Sequence, residues 1–171
     1  MAAVVVILAS CALLLVLWAG ARINTTSSFP RGIYWVVDKS PVKGDLVLFC
    51  PPRREVFHLA HERGYLHSGT CPGGYMRMLK RLVAVAGDDV WITLAGVSVN
   101  GQLEQRSQPL LLDPGGRAMP QPPLLHFRLA RDEVLLMSDY SRSSFDGRYF
   151  GAIPREQLGE VVRPWLVWGQ P

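Results

Sequence analysis

The chain opens with a long apolar block, after which apolar and polar positions alternate over short distances. Residues 2–21 contain no charged side chain. As a helix, twenty such residues would span about 30 Å, the thickness of the hydrocarbon layer of a bilayer. Residues 1–22 are therefore predicted to be a transmembrane anchor or a secretory signal segment, since Ala19-Gly20-Ala21 also fits a small-x-small cleavage site. The lack of a positive charge before the block favours the anchor.

The pattern in residues 23–171 predicts one domain that is mostly β. Short runs rich in β-branched and aromatic residues, separated by Gly, Pro and Asp turns, are typical of strands. These runs fall at residues 33–37, 46–49, 75–85, 90–94, 125–130 and 133–139, with a last strand that ends at 168. Asn100-Gly101 predicts a tight hairpin. Residues 54–63 predict a short helix that stops at Gly64, and residues 106–123 predict a long irregular loop.

Charge and composition narrow the classes of function. Lysine and arginine exceed aspartate and glutamate by 18 to 14, which gives a formal net charge of +4. The excess is scattered and forms no basic run, so the sequence does not indicate a nucleic-acid-binding protein. A mild attraction to an anionic membrane surface is consistent with this charge.

Two of the three cysteines, Cys50 and Cys71, fall in the folded domain, and each is followed by proline. In an exported protein such a pair predicts one disulfide. The alternative is a zinc site that adds one or two of His58, His61 and His67. The cysteines do not form the C-x-x-C pairs that such sites use, so the disulfide is preferred over zinc and over two free thiols.

Lys80 interrupts the most strongly predicted strand. Strand alternation places Lys80 on one face with Met78, Leu82 and Ala84. Burial on an apolar face favours the neutral form of a lysine, and a neutral lysine can act as general base for a serine nucleophile. The alternative is an amine that reaches solvent at the edge of the strand, and the pattern alone favours that alternative.

Several segments resemble boxes of the signal peptidase I family of Ser/Lys proteases, in the order in which the family has them. LKRLVAVAGDDV at 79–90 resembles the lysine box, and MSDYSRSSFDGRYFGAIP at 137–154 resembles the C-terminal box. KGDLVLF at 43–49 matches a Gly-Asp strand of the family. The resemblance covers most of the folded domain. It implies a β-rich catalytic domain with short helices and a serine-type endopeptidase with Lys80 as general base.

The segment that would carry the nucleophile departs from the ordinary form of the family. NTTSSFPRGIYW at 24–35 resembles the TraF subgroup, the conjugative-transfer peptidases that process pilin precursors, with its pattern Asn-x-x-x-Ser-x-Pro-x-Gly-x-Tyr. This match implies that Ser28 is the nucleophile. Ser27, which is adjacent and lies three residues before Pro30, is the competing candidate.

The same resemblance implies supporting roles for four more residues. Thr26 lies where the family has an oxyanion-hole hydroxyl, and Ser144 lies where a serine orients the lysine amine. Asp146 and Arg148 match a charged pair that braces the C-terminal box, and in the TraF subgroup Asp146 is expected to belong to the catalytic site. From the residues alone, Asp146-Gly147-Arg148 also fits a turn with a surface ion pair, which would contribute about 0–1 kcal/mol.

The resemblance implies a membrane-tethered peptidase at the periplasmic face of the bacterial inner membrane. Its expected substrate is a pilin precursor, with cyclisation of the pilin as one outcome, or another membrane-inserted exported protein. The expected partners are the cytoplasmic membrane and other proteins of the conjugation apparatus; no metal, cofactor or nucleic acid is expected. Two alternatives stay open: a general signal peptidase I, and a non-catalytic, membrane-anchored component of a conjugation or secretion channel.

Overall fold

The computed structural model describes residues 1–120 and 125–168, and these form a β-rich domain that follows one N-terminal helix. The predicted fold class is confirmed. The final part of the predicted loop, residues 121–123, lies outside the described residues. The helices are α1 (Ala2–Trp18), α2 (Glu55–Glu62) and α3 (Gly147–Phe150), with a 3₁₀ turn at Arg155–Gln157. The strands are β1 (Ala21–Asn24), β2 (Arg31–Val37), β3 (Leu46–Phe49), β4 (Met78–Ala84), β5 (Asp89–Thr93), β6 (Gly96–Val99), β7 (Gln102–Leu103), β8 (Leu125–Arg128), β9 (Glu133–Met137), β10 (Ile153–Pro154) and β11 (Leu158–Trp168).

The larger sheet is antiparallel and has the strand order β1-β2-β11-β3-β4-β9-β10. The central strand β4 is buried on both faces apart from the half-buried Arg81, which explains its almost continuous apolar sequence. Its register with β9 shifts between Leu82 and Ala84. Because of this shift, the predicted alternation ends at Leu82. Met78 and Leu82 belong to one core cluster, whereas Ala84 joins a second.

The smaller sheet has the order β7-β6-β5-β8 and packs its inner face into the second core cluster. The tight hairpin predicted at Asn100-Gly101 is confirmed between β6 and β7. Both residues have positive φ, 51° and 79°, as a two-residue hairpin of the I′ type requires. This sheet supports the end of β4 through the shared core.

Helix α2 ends near the predicted position, and Gly64 follows it with a φ of 77°, a conformation that glycine adopts without strain. The inner face of α2 packs into the first core cluster. Phe57 and Ala60 are the buried residues. Phe57 takes the central position because its ring packs on that of Phe150 in α3, with centroids 4.9 Å apart.

Helix α1 covers 17 residues. Within the described part of the chain, no helix has both the length and the apolar character needed to cross a membrane. Strand β1 begins at Ala21, which is buried and pairs with Trp35 of β2, so the sheet starts two residues before the predicted domain. The next residue, Arg22, forms an ion pair with Glu160 of β11. Cleavage after Ala21 would therefore cut between the first two residues of β1.

Candidate active site

A lysine amine and a serine hydroxyl meet beside the turn that joins β1 to β2. Lys80 Nζ lies 2.7 Å from Ser28 Oγ, which is hydrogen-bonding distance. Lys80 is in the middle of β4, paired with Val47 of β3, and Ser28 follows β1 in the turn. The residues predicted as base and nucleophile are thus in direct contact. Ser27, the competing candidate, is exposed in the same turn.

Lys80 is buried inside the domain, with a relative exposure of 1%. Desolvation lowers the pKa of Lys80 from 10.5 to about 8; Asp146 opposes this shift and Arg148 adds to it. At a pKa of 8, about one lysine in ten is neutral at pH 7, compared with about one in three thousand at the ordinary value. The alternative prediction, a lysine that reaches solvent at the strand edge, is wrong because both faces of β4 are covered.

Asp146 and Arg148 form a buried, bidentate ion pair. Arg148 Nε donates to Asp146 Oδ1 at 2.8 Å and Nη2 donates to Oδ2 at 2.9 Å, and both side chains are 0% exposed. The alternative of a surface ion pair is therefore wrong. Arg148 also donates to the carbonyl oxygens of Gln108, Arg142 and Ser138. A charged pair with this many partners acts as a structural junction.

The carboxylate of Asp146, predicted to be catalytic, reaches Ser28 through an intermediate residue. It accepts a hydrogen bond from the Ser138 N–H at 3.0 Å, and the Ser138 hydroxyl donates to the Ser28 carbonyl at 2.5 Å. Its other hydrogen bonds in the described residues are to Arg148. The geometry therefore supports a positioning role for Asp146. Sequence reasoning missed Ser138, although its place inside the C-terminal box was a usable signal.

Ser144, which the resemblance implied would orient the Lys80 amine, makes its described side-chain hydrogen bond with the Ser28 hydroxyl instead. Its Oγ donates to Ser28 Oγ at 3.3 Å. The Ser28 hydroxyl oxygen thus contacts two polar side chains, Lys80 and Ser144. Both are almost fully buried, since Ser144 is 4% exposed and Lys80 is 1% exposed. Hydrogen bonds from two directions restrict the rotamer of a serine and so hold its oxygen in place.

The turn that carries Ser28 is organised by one side chain, Asn24. Its amide nitrogen donates to the carbonyl oxygens of Thr26, Phe29 and Pro30 at 3.2, 3.1 and 3.0 Å. Its amide oxygen accepts from the Thr26 N–H at 3.1 Å and from the Thr26 hydroxyl at 2.8 Å. The single hydroxyl hydrogen of Thr26 therefore points to Asn24, and oxyanion stabilisation by Thr26 requires a rotation of that hydroxyl.

Two larger clefts lie near the turn that carries Ser28, and a small one of about 30 Å³ between them is lined by Ser28 and Lys80. The first, of about 150 Å³, runs between β1 and β4 and is lined largely by apolar side chains such as Tyr34 and Leu79; we call it the β1–β4 cleft. The second, of about 300 Å³, contains Ser28 and Ser144 and is walled by side chains from residues 110–119; we call it the loop cleft. Such paired clefts could hold the two ends of an extended polypeptide.

The sulfur atoms of Cys50 and Cys71 are joined in a disulfide, 2.06 Å apart. A disulfide leaves neither sulfur as a thiolate ligand for zinc. Among the described residues there is also no group of three or more His, Cys, Asp or Glu side chains that could hold a metal ion. The bond ties the end of β3 to the segment between α2 and β4, which forms one side of the loop cleft.

Comparison with known proteins identifies the family of this chain. Residues 1–167 match the family described as signal peptidase, peptidase S26. The chain therefore belongs to this family, which is a family of serine peptidases.

Within the family, the chain is similar to proteins named for plasmid transfer. It is 51% identical over 150 residues to the plasmid transfer protein TraF of Escherichia coli, covering 88% of this chain and 85% of that protein. It is 41% identical over 139 residues to the probable conjugal transfer protein TraF of Sinorhizobium fredii, covering 80% and 72%. These relatives confirm the resemblance to the TraF subgroup.

A solved signal peptidase I from Enterococcus faecalis V583 overlays this chain with a TM-score of 0.40 and 18% identity, over 72% of this chain and 97% of that one. This overlay is too loose to support a comparison of the two sites.

Proposed function

We propose that this chain is a Ser/Lys endopeptidase in which Ser28 is the nucleophile and Lys80 is the general base. The observation that carries the proposal is the contact of 2.7 Å between a serine hydroxyl and a lysine amine that is 1% exposed. A serine hydroxyl needs a neighbouring base to act as a nucleophile. An amine whose pKa is lowered to about 8 supplies that base near neutral pH.

The chemistry follows from these two groups. Neutral Lys80 takes the hydroxyl proton as Ser28 Oγ attacks the carbonyl carbon of the scissile peptide bond. The oxyanion that forms is stabilised by the Ser28 N–H and by the Thr26 hydroxyl once it turns from Asn24. The Lys80 ammonium then gives its proton to the leaving nitrogen as the C–N bond breaks, and an acyl-enzyme ester remains. Water, or an amine, attacks the ester with Lys80 again as base and frees Ser28.

The relatives support conjugative transfer as the setting, because they are named for plasmid or conjugal transfer. We propose a pilin precursor as the substrate. We further propose that the domain works outside the cytoplasm, at the periplasmic face of the inner membrane, with residues 1–22 as its tether. The membrane and other proteins of the conjugation apparatus would then be its partners.

Attack by an amine of the substrate itself would give a cyclic pilin. The acyl-enzyme is common to hydrolysis and to cyclisation, so the residues of the site are the same for both. Mass spectrometry of the mature pilin distinguishes the two outcomes. A product lighter by one water than the linear chain indicates cyclisation, and a mass equal to the linear chain refutes it.

The alternative of a non-catalytic channel component does not explain why Lys80 is buried, since burying an amine costs free energy. A direct test compares processing of the pilin precursor by the wild-type chain and by Ser28→Ala and Lys80→Ala. Both variants should lose at least about 10³-fold in rate. Ser27→Ala is the matched control and should retain most of the activity. Full processing by Lys80→Ala would refute the proposed mechanism.

The alternative of a general signal peptidase I differs in substrate range. The test is to offer the same enzyme the pilin precursor and an unrelated secretory precursor. Comparable rates with both precursors would favour the general enzyme over the pilin-specific one.

A further inference from the structure

One part of the long loop between β7 and β8 is fastened to the segment after α2. Asp113 accepts hydrogen bonds from the Tyr65 hydroxyl and from Arg117, whose Nε lies 2.7 Å from Asp113 Oδ2. The Arg117 guanidinium lies over the Tyr65 ring, 5.6 Å from its centroid, and donates to the Arg63 carbonyl at 3.2 Å. We call Tyr65, Asp113 and Arg117 the clasp.

The contacts of the clasp centre on the buried carboxylate of Asp113. The Asp113 side chain is 1% exposed, and it accepts hydrogen bonds on both carboxylate oxygens. The Tyr65 hydroxyl and then Arg117 hold the pKa of Asp113 well below its usual range. The carboxylate is therefore ionised throughout the neutral range. A second tie, from the Leu110 N–H to the Tyr149 hydroxyl at 2.9 Å, holds the start of the same loop.

The fastened loop faces Ser28 across the loop cleft. Leu110, Asp113 and Met119 line one side of this cleft, and Ser28 and Ser144 line another. The volume of about 300 Å³ is at the lower end of the range for ligand pockets, about 300–1,000 Å³. It suits a few residues of an extended chain. Besides the clasp, the wall is held by a hydrogen bond from Arg63 Nη1 to the Ala118 carbonyl at 2.6 Å and by the burial of Met119 in the core.

The two clefts lie on different sides of the turn that carries Ser28. Among the described residues, only Thr25 and Thr26 line both. The β1–β4 cleft lies along β1, an edge strand of the larger sheet, and an edge strand can hold an extended peptide by main-chain hydrogen bonds. That cleft suits the acyl part of a substrate. The leaving part must then run past Ser28 into the loop cleft.

We propose that the loop cleft binds the polypeptide on the leaving-group side of the scissile bond, and that the clasp positions the wall that contacts it. The inference rests on the peptidase function proposed above. The occupant is a segment of polypeptide that follows the scissile bond, or an amine-bearing segment that attacks the acyl-enzyme from the same side. Tyr65 and Asp113 are themselves part of that wall, whereas Arg117 is a positioning residue that acts through Asp113.

The test uses the full chain in detergent and substrates that share one acyl part with small side chains. One substrate is a p-nitrophenyl ester without a leaving polypeptide, and two peptides continue for two or four residues beyond the scissile bond. With the wild-type chain, kcat/KM should rise about tenfold from the shorter to the longer peptide, as expected for one or two added hydrogen bonds. Asp113→Asn and Tyr65→Phe should lose most of that gain, with a smaller effect on the ester.

The matched control is Asp89→Asn, the same substitution in a carboxylate that pairs with His126 at 2.7 Å on the smaller sheet. It should keep both the ester rate and the gain with length. A wild-type chain without any gain, or a clasp variant that keeps the full gain, overturns the inference. If Asp113→Asn loses ester turnover as well, Tyr65→Phe decides, because it removes one hydroxyl only. Ester turnover that persists in Ser28→Ala would instead refute the proposed function.

Discussion

Replacing Lys80 by methionine should make the protein more stable while it abolishes activity. Lys80 is 1% exposed in the middle of β4, so its ammonium form is held in an environment that excludes water. Methionine fills a similar volume with an unbranched apolar side chain and carries no proton to lose. Under the proposed mechanism, the buried Lys80 amine is needed for the chemistry although it lowers the stability of the fold.

The magnitude follows from the pKa of Lys80. In the unfolded chain it has its ordinary value of 10.5, and in the folded chain burial lowers it to about 8. The unfolded state therefore binds more protons between these values, so the free energy of unfolding of the wild type rises with pH from about 8 to about 10.5. Below pH 8 the full penalty is present, about 3 kcal/mol at 1.36 kcal/mol per pKa unit. The lost hydrogen bond to Ser28 offsets about 1 kcal/mol of the gain.

The assay is denaturant unfolding of both proteins at pH 7 and at pH 9.5, with the disulfide intact. Lys80→Met should gain about 2 kcal/mol at pH 7, and the gain should shrink at pH 9.5 because the wild type recovers stability. Ser27→Ala is the control for a change in the same site without a buried charge. A difference between the two proteins that does not change with pH, or a lower stability of Lys80→Met at pH 7, would refute this account of Lys80.

Three further predictions concern the same site. The kcat/KM of the wild type should rise with pH and level off above about 8, with a slope of about tenfold per unit below pH 7, because only neutral Lys80 is a base; a flat profile from pH 6 to 8 would contradict this. Asp146→Asn leaves the buried Arg148 without its counter-charge and should destabilise the fold by about 3–5 kcal/mol, measured by thermal unfolding, with Asp89→Asn as the mild control. Asn24→Asp replaces a donor by an acceptor opposite three carbonyl oxygens and should lower kcat by about 10²-fold through misplacement of Ser28, with KM changed less; unchanged kcat would show that the turn holds its shape without Asn24.

Much of the fold could be predicted from local patterns. Most of the strands, the Asn100-Gly101 hairpin and the end of α2 before Gly64 depend on neighbouring residues, and the sequence shows these directly, whereas β1 and α3 were not predicted. The register shift after Leu82 could not be predicted, because it depends on how β9 pairs with β4 across the sheet. The packing of Phe57 in α2 could not be predicted for a similar reason, since its ring contacts Phe150 of α3, far along the chain.

The sequence analysis predicted which residues form the candidate site, but not all of the contacts between them. The resemblance singled out Ser28 and Lys80, and the fold brings them into contact. The strand pattern alone favoured a solvated Lys80. The sequence of one strand does not show that other elements cover both of its faces. The link from Ser138 to Ser28 and the hydrogen bond from Arg148 to Gln108 join segments that are distant in sequence. Nothing local to either segment specifies such a contact.

The hydrogen bonds around Arg148 determine when the site can form during synthesis of the chain. Ser28 belongs to the first fifth of the polypeptide, but its carbonyl is held by Ser138, which depends in turn on Asp146 and Arg148. A ribosome makes the nucleophile long before it makes these partners. A nascent or half-folded chain thus has its reactive serine without the scaffold that aims it. Under the proposed function, the site therefore becomes competent only after the C-terminal box has been made and folded.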